Sequence, residues 1–184
     1  MLAWEKVRTR IDRIKTVVDQ GAGIVKGLLG FSRTSDRAPV WCDINSVVED
    51  TIKLLGDRFM REVEIQFEWA PSLPTAPASR DLIQQMLLNL IFNAADAIAG
   101  RGSILLRTGE LKKLPGNLVL PPAPAPDYVF IAVKDEGCGI APDILPRIFE
   151  PFFTTKALSQ RRGTGLGLSM VYELAKEMGF GISV

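Results

Sequence analysis

The sequence predicts an α+β fold, a two-layer α/β sandwich in which a mixed sheet carries its helices on one face, preceded by a long N-terminal helix. Three observations carry this prediction. Leu82, Met86, Leu87, Leu90, Ile91 and Ala94 recur at helical spacing over a broad face. Tyr128 to Val133 is apolar at every position, as in a central strand covered on both sides. The segments follow the order helix, strand, helix, strand, strand, helix, which suits a mixed sheet better than alternating βαβ units. At 184 residues, 47% hydrophobic and 23% charged, the chain can bury one main core.

The elements follow in chain order. Val7, Ile11, Ile14, Val18, Gly21, Val25 and Leu28 alternate spacings of four and three, the seam of a coiled coil or helical hairpin, so residues 2 to about 33 read as one helix. Its stripe meets another chain, a segment outside this sequence, or the main domain. Arg33 to Pro39 is a polar linker and sets a boundary, giving a partial dimerisation hairpin at 1–37 and a main domain at 38–184. Ser46-x-x-Glu49 offers a capping box for a helix to about Leu55. Val63, Ile65 and Phe67 alternate with charged or polar residues as in a half-buried strand, which Pro71, Pro74 and Pro77 end. Ser79 caps the long helix to about Ala99, and Ile104 to Thr108 reads as a strand. The proline-rich ELKKLPGNLVLPPAPAPD is expected to be an extended surface loop, an insertion before the strand at Tyr128.

Composition removes several functions. A net charge of +1 provides no bulk field for nucleic acid or an anionic membrane, so neither is expected as a partner. No apolar run is long enough to span a bilayer and the start lacks a signal-peptide centre, which predicts a cytoplasmic segment, whether or not its parent is membrane-anchored. Cys42 and Cys138 stand in no metal-like spacing. The chain contains no histidine, which excludes His-based triads, His-ligated zinc and His general bases.

Four stretches carry chemistry. In RGTGLGLSM, Gly163, Gly165 and Gly167 fall at every second position before a helix. The spacing matches neither a dinucleotide turn, which needs G-x-G-x-x-G straight after a strand, nor a P-loop, which needs a lysine and Ser/Thr after its last glycine. A hinge with exposed amides and a helix N-terminus remains, suited to an anion. In DEGCGI, Asp135 can accept from an exocyclic amine such as adenine's, while Gly137 and Gly139 let backbone approach a flat ligand; an ordinary Asp turn is the alternative. Asn89 and Asn93 lie one helical turn apart on an otherwise apolar segment, and a metal ion, its waters or a phosphate could satisfy them, as could capping or water alone. IFEPFFTTK, Ile148 to Lys156, joins three phenylalanines, a proline and a lysine, and by itself reads as core.

In this order and spacing the four resemble the ATP-binding domain of sensor histidine kinases, within the superfamily that includes gyrase, the 90-kilodalton heat-shock chaperone and MutL proteins. The resemblance implies a Bergerat-type fold, with Asn89 and Asn93 in the N box, Asp135, Gly137 and Gly139 in the G1 box, Phe149, Phe152 and Phe153 in the F box, and Gly163, Gly165 and Gly167 in the G2 box. It further implies that ATP and Mg²⁺ are the cofactors, that Asp135 binds the adenine amino group, and that Asn93 ligates Mg²⁺ bridging the phosphates. Residues about 153 to 165 would form a mobile lid, and Thr164 and Leu166 would be among the nucleotide-binding residues. Lys156, or Arg161 with Arg162, would meet the β or γ phosphate unless they are solvated lid charges. ATP-hydrolysing relatives carry glutamate at position 89 as the base that activates water; an amide cannot accept that proton, so Asn89, the one catalytic candidate, favours a kinase over a gyrase or MutL relative.

VVDQGAGIVKGLLGFSR is similar to the second helix of the kinase dimerisation hairpin, whose first helix carries the phospho-accepting histidine. The expected function is therefore the ATP-binding catalytic portion of a sensor histidine kinase, homodimeric when intact. It would pass the γ-phosphoryl group to a histidine outside this fragment, for relay to the aspartate of a response-regulator receiver domain. No autophosphorylation on histidine is expected from this chain. The alternatives are a non-catalytic nucleotide-sensing or dimerisation module and a serine-directed anti-sigma-factor-type kinase. Relatives continue beyond the last helix, so Ile182 to Val184 is expected to begin a strand without a partner, exposing a sheet edge and lowering stability or promoting self-association.

Overall fold

The computed structural model describes residues 40–98, 101–155 and 164–184. The expected helix at 2–33 lies outside them, as do Lys156, Arg161, Arg162 and Gly163. The elements are β1 (Val40–Cys42), α1 (Ile44–Glu62), β2 (Glu64–Glu68), β3 (Ala76–Ala78), α2 (Arg80–Ala97), β4 (Ser103–Leu111), β5 (Leu118–Leu120), β6 (Tyr128–Asp135), α3 (Gly167–Glu177) and β7 (Ile182–Ser183).

The main sheet has the order β2-β4-β6, parallel between β2 and β4 and antiparallel between β4 and β6, so it is mixed as predicted. Side chains alternate along β4: Ile104, Leu106 and Thr108 are buried while Arg107 is exposed. Cross-strand partners share a face, and Asp135 is the partner of Ile104; the last residue of β6 therefore emerges in the buried row. α2 packs on β4 and β6, with α1 and α3 at its sides. Ile91 of α2, Ile104 and Leu106 of β4, and Val47 and Val48 of α1 form the fully buried centre. Each such side chain contributes roughly 1.5–3 kcal/mol by leaving water.

A polar lock closes the end of the core near α1. The Thr108 hydroxyl donates to Asn45 Oδ1 at 2.7 Å and accepts from the Ala70 N–H at 3.3 Å, while Asn45 Nδ2 donates to the Ala70 carbonyl at 2.9 Å. All three polar partners are thereby satisfied, and the chain leaving β2 is tied to both layers.

Several elements differ from expectation for identifiable reasons. α1 starts two residues before Ser46, because Asp43 is its N-cap and accepts from the Ser46 N–H at 3.1 Å. Its regular part is interrupted at Gly56 (φ 73°), directly after the expected end at Leu55. Ser79 occupies the N-cap position of α2, but its side chain makes no capping bond. The proline cluster ends β2 and also yields β3, an antiparallel partner of β1 in which Pro77 faces Trp41. Phe67 is not a core residue; it is 40% exposed and stacks on Trp69 with centroids 5.1 Å apart.

The strand at Tyr128 is not the central one. Among the described residues β6 pairs only with β4 and so stands at the sheet's edge, with its apolar residues half-buried. The proline-rich stretch is also more than loop: it supplies the end of β4 and all of β5. β5 pairs with β7, so Ile182 does have a strand partner, contrary to the expectation of an unpaired C-terminal strand. That pairing is set up by the end of α3, where Gly179 (φ 68°) adopts the left-handed conformation and Phe180 N–H reaches back to the Ala175 carbonyl at 2.8 Å. The Ala123 N–H then donates to the Gly179 carbonyl at 2.8 Å, fastening the proline-rich stretch to this turn.

Candidate functional site

α2 organises the site. Asn89 and Asn93 project from one face because they are four residues apart. Asn89 Nδ2 donates to the Gln85 carbonyl at 2.9 Å, which leaves its Oδ1 as a free acceptor; Asn93 makes no side-chain hydrogen bond among the described residues. Gly167, the first residue of α3, stands directly against this pair. A Cβ there would lie 3.3 Å from Asn93 Nδ2 and 3.5 Å from Asn89 Oδ1, so glycine sets the distance between the amides and the helix start. Gln85 Nε2 donates to Met170 Sδ at 3.1 Å and joins the two helices at the same level.

The far end of α2 holds the second group. Gly137 leaves no room for a Cβ, which would sit 2.6 Å from the Ala97 Cβ, and the Cys138 N–H donates to the Ala97 carbonyl at 3.2 Å. Asp135 Oδ1 accepts from the Gly137 N–H at 2.8 Å, which orients the half-buried carboxylate and leaves its second oxygen available. Gly139 (φ 70°) has open space around its Cα, so its glycine requirement is conformational rather than steric. From Asn89 to Ala97 the helix advances about 12 Å, which separates a region of amide donors and acceptors from a carboxylate-bearing turn.

The aromatic segment borders this arrangement. Phe149 packs on Tyr172 of α3 with centroids 5.5 Å apart, and Arg147 lies 4.5 Å over the Phe153 ring while bonding Glu150 at 3.2 Å. Phe152 has φ 66° and is 70% exposed; its N–H donates to the Gly165 carbonyl at 2.9 Å. Gly165 (φ 69°) is pressed against it, since a Cβ would meet the Phe152 carbonyl carbon at 2.4 Å. Leu166 is buried, accepts at its carbonyl from Ser169 Oγ at 3.0 Å, and gives its N–H to Thr164 Oγ1 at 3.4 Å.

Of the residues singled out in the sequence, Asn89, Asn93 and Gly167 form one group, Asp135, Gly137 and Gly139 a second, and Phe152 with Gly165 a third. Phe149 and Leu166 pack inward. Lys156 and Gly163 lie outside the described residues. Gln85 and Ala97 had no sequence signal of a role, since each becomes informative only through a contact across the fold. No cluster of three or more His, Cys, Asp or Glu side chains among the described residues could hold a metal unaided. Among the described residues no helix is long and apolar enough to cross a membrane.

Residues 78–184, which run from the end of β3 through α2, the DEGCGI turn and α3, match the family described as histidine kinase-, DNA gyrase B- and HSP90-like ATPase. The chain belongs to this family. Within the ATPase family it is 38% identical over 170 residues to the sensor kinase CckA of Brucella abortus (strain 2308), covering 92% of this chain and 18% of that protein. It is 36% identical over 165 residues to the sensory histidine kinase/phosphatase NtrB of Rhizobium meliloti (strain 1021), covering 89% of this chain and 40% of that protein. The chain thus spans well under half the length of these relatives. Among solved structures it resembles full-length ShkA in complex with AMPPNP, with a TM-score of 0.67 and 27% identity over 95% of this chain and 36% of that one. It also resembles the nucleotide-free catalytic domain of histidine kinase ThkA, with a TM-score of 0.57 and 26% identity over 76% of this chain and 81% of that one. The α+β sandwich predicted from the sequence is the fold of these family members.

Proposed function

We propose that this chain is the ATP-binding catalytic portion of a sensor histidine kinase, and that it binds ATP with Mg²⁺ between α2, the DEGCGI turn and the start of α3. The observation that carries the reading is that one helix presents an amide pair to Gly167 at one level and braces the Asp135 turn at the other. Asp135 accepts from the adenine amino group, and Gly137 and Gly139 let the backbone approach the ring. The N–H groups opening α3 face the phosphates. Asn93 suits a hard cation, because an amide oxygen is a Mg²⁺ ligand and its side chain is not engaged elsewhere among the described residues. When bound, that ion neutralises phosphate charge. Residues 1–37 act as part of a dimerisation hairpin, and the intact protein is a homodimer.

Asn89 separates transfer from hydrolysis. An amide is not a base, so water is not activated there, and the γ-phosphoryl group is kept for a histidine. This chain has none, so the acceptor comes from another segment or chain, and the phosphoryl group passes on to a response-regulator receiver domain. A second reading is a module that senses nucleotide without catalysis. A phosphate-release assay with a parallel Mg²⁺-ATP titration tests the proposal. The kinase reading expects binding without steady phosphate release. Sustained hydrolysis would contradict the role given to Asn89, and absence of binding would overturn both readings.

A further inference from the structure

We propose that Glu136 is the positioning residue that holds Asp135 in register for adenine, a role that rests on the ATP reading above. The antiparallel ladder between β4 and β6 runs through the pair Ile104 and Asp135, so its next step would pair Ser103 with Glu136. One half of that step is present: the Glu136 N–H donates to the Ser103 carbonyl at 3.3 Å. The other half is made by the side chain, because Glu136 Oε2 accepts from the Ser103 N–H at 2.9 Å. The carboxylate takes the N–H that an ordinary ladder would give to the main-chain carbonyl of residue 136.

This substitution has a mechanical consequence. The strand stays anchored through Glu136 while the Glu136 carbonyl is released to follow the turn, so the chain can bend at Gly137 immediately after Asp135. Gly137 then reaches the Ala97 Cβ, and its N–H meets Asp135 Oδ1 at 2.8 Å. Glu136 therefore fixes the backbone where the strand ends and Ala97 fixes the turn that follows, and the Gly137 N–H between them orients the Asp135 carboxylate. Glu136 is exposed and points at backbone, so it acts through Asp135 and not on the ligand.

The test is a titration of Mg²⁺-ATP into wild type, Glu136→Ala, Glu136→Gln, Asp135→Asn and the double variant Asp135→Asn/Glu136→Ala. Loss of one charge-assisted hydrogen bond predicts about fivefold weaker binding for Glu136→Ala. Glu136→Gln, which keeps the acceptor oxygen, should stay within about twofold of wild type. In the Asp135→Asn background Glu136→Ala should cost nothing further, because two residues acting as a unit are not additive. Unchanged binding by Asp135→Asn would sink the ATP reading itself and this inference with it. Impaired Asp135→Asn with unaffected Glu136→Ala, an undiminished Glu136 effect in the double variant, or Glu136→Gln as weak as Glu136→Ala would each overturn the positioning role alone.

Discussion

Gly165 and Gly139 form a controlled comparison, since their φ angles are 69° and 70° but their surroundings differ. Alanine at either must adopt a left-handed backbone, which costs about 1–2 kcal/mol. At Gly139 nothing lies within 4 Å of the new Cβ, so that cost is all. At Gly165 the Cβ would be 2.4 Å from the Phe152 carbonyl carbon and 2.7 Å from its Cα and oxygen, backbone atoms that cannot rotate aside. The two segments must part, and the hydrogen bond from Phe152 N–H to the Gly165 carbonyl, 2.9 Å long, is lost with them. That adds roughly 1 kcal/mol, so Gly165→Ala should cost about 2–3 kcal/mol against about 1–2 for Gly139→Ala. Urea unfolding of the two variants without nucleotide measures both, provided the slope with denaturant is unchanged. Equal destabilisation would refute the reasoning, because it would mean that the Phe152 contact does not hold Gly165 in solution. Gly56→Ala has open space too, but with φ 73° and ψ 164° its backbone lies in a region essentially confined to glycine, so it should cost at least as much as Gly139→Ala.

Other outcomes follow from the same structure. Cys138 is exposed and Cys42 buried, so a thiol reagent should modify only Cys138 in the folded domain. Mg²⁺-ATP should slow that reaction, and an unaltered rate would argue against a ligand over the DEGCGI turn. Ile91→Ala should destabilise by about 2–5 kcal/mol because a fully buried side chain on α2 leaves a cavity, whereas Leu54→Ala, at 62% exposure, should change stability by less than about 0.5 kcal/mol. Asp50 is lowered from its ordinary 3.8 by its hydrogen bond to Lys53, with Arg80 also close. A depressed carboxylate stabilises fully above pH 3.8 and loses that contribution as the pH falls through the folded-state value, so Asp50→Asn should flatten this part of the acid unfolding curve, most visibly at low salt.

The helical face of α2 was legible because burial imposes a period on residues that lie in one element, whereas in β2 only Ile65 follows the expected alternation and Phe67 does not. The break in α1 was legible too, since only glycine follows Leu55 at the point where φ turns positive. Sheet order was not. Tyr128 to Val133 is apolar in either a central or an edge strand, and only the pairing partners decide between them. β3 escaped notice because Pro77 argues against a strand, although an edge strand tolerates a residue without an N–H. The glycine and asparagine spacings singled out segments that meet in the structure, but the contacts that bring them together join residues far apart in sequence. Gly167 against Asn93, Gly137 against Ala97 and Glu136 against Ser103 leave no local pattern.

Asp135 is the residue on which nucleotide binding at this turn depends most directly. Calorimetric titration of Mg²⁺-ATP and Mg²⁺-ADP into the wild-type chain and into Asp135→Asn tests it most directly, since the substitution keeps the shape and exchanges a carboxylate acceptor for an amide. The prediction is that the wild type binds both nucleotides and the variant binds them more weakly, by about tenfold or more, while melting at the same temperature. Binding of equal strength in the two proteins would contradict the assignment of this turn to adenine.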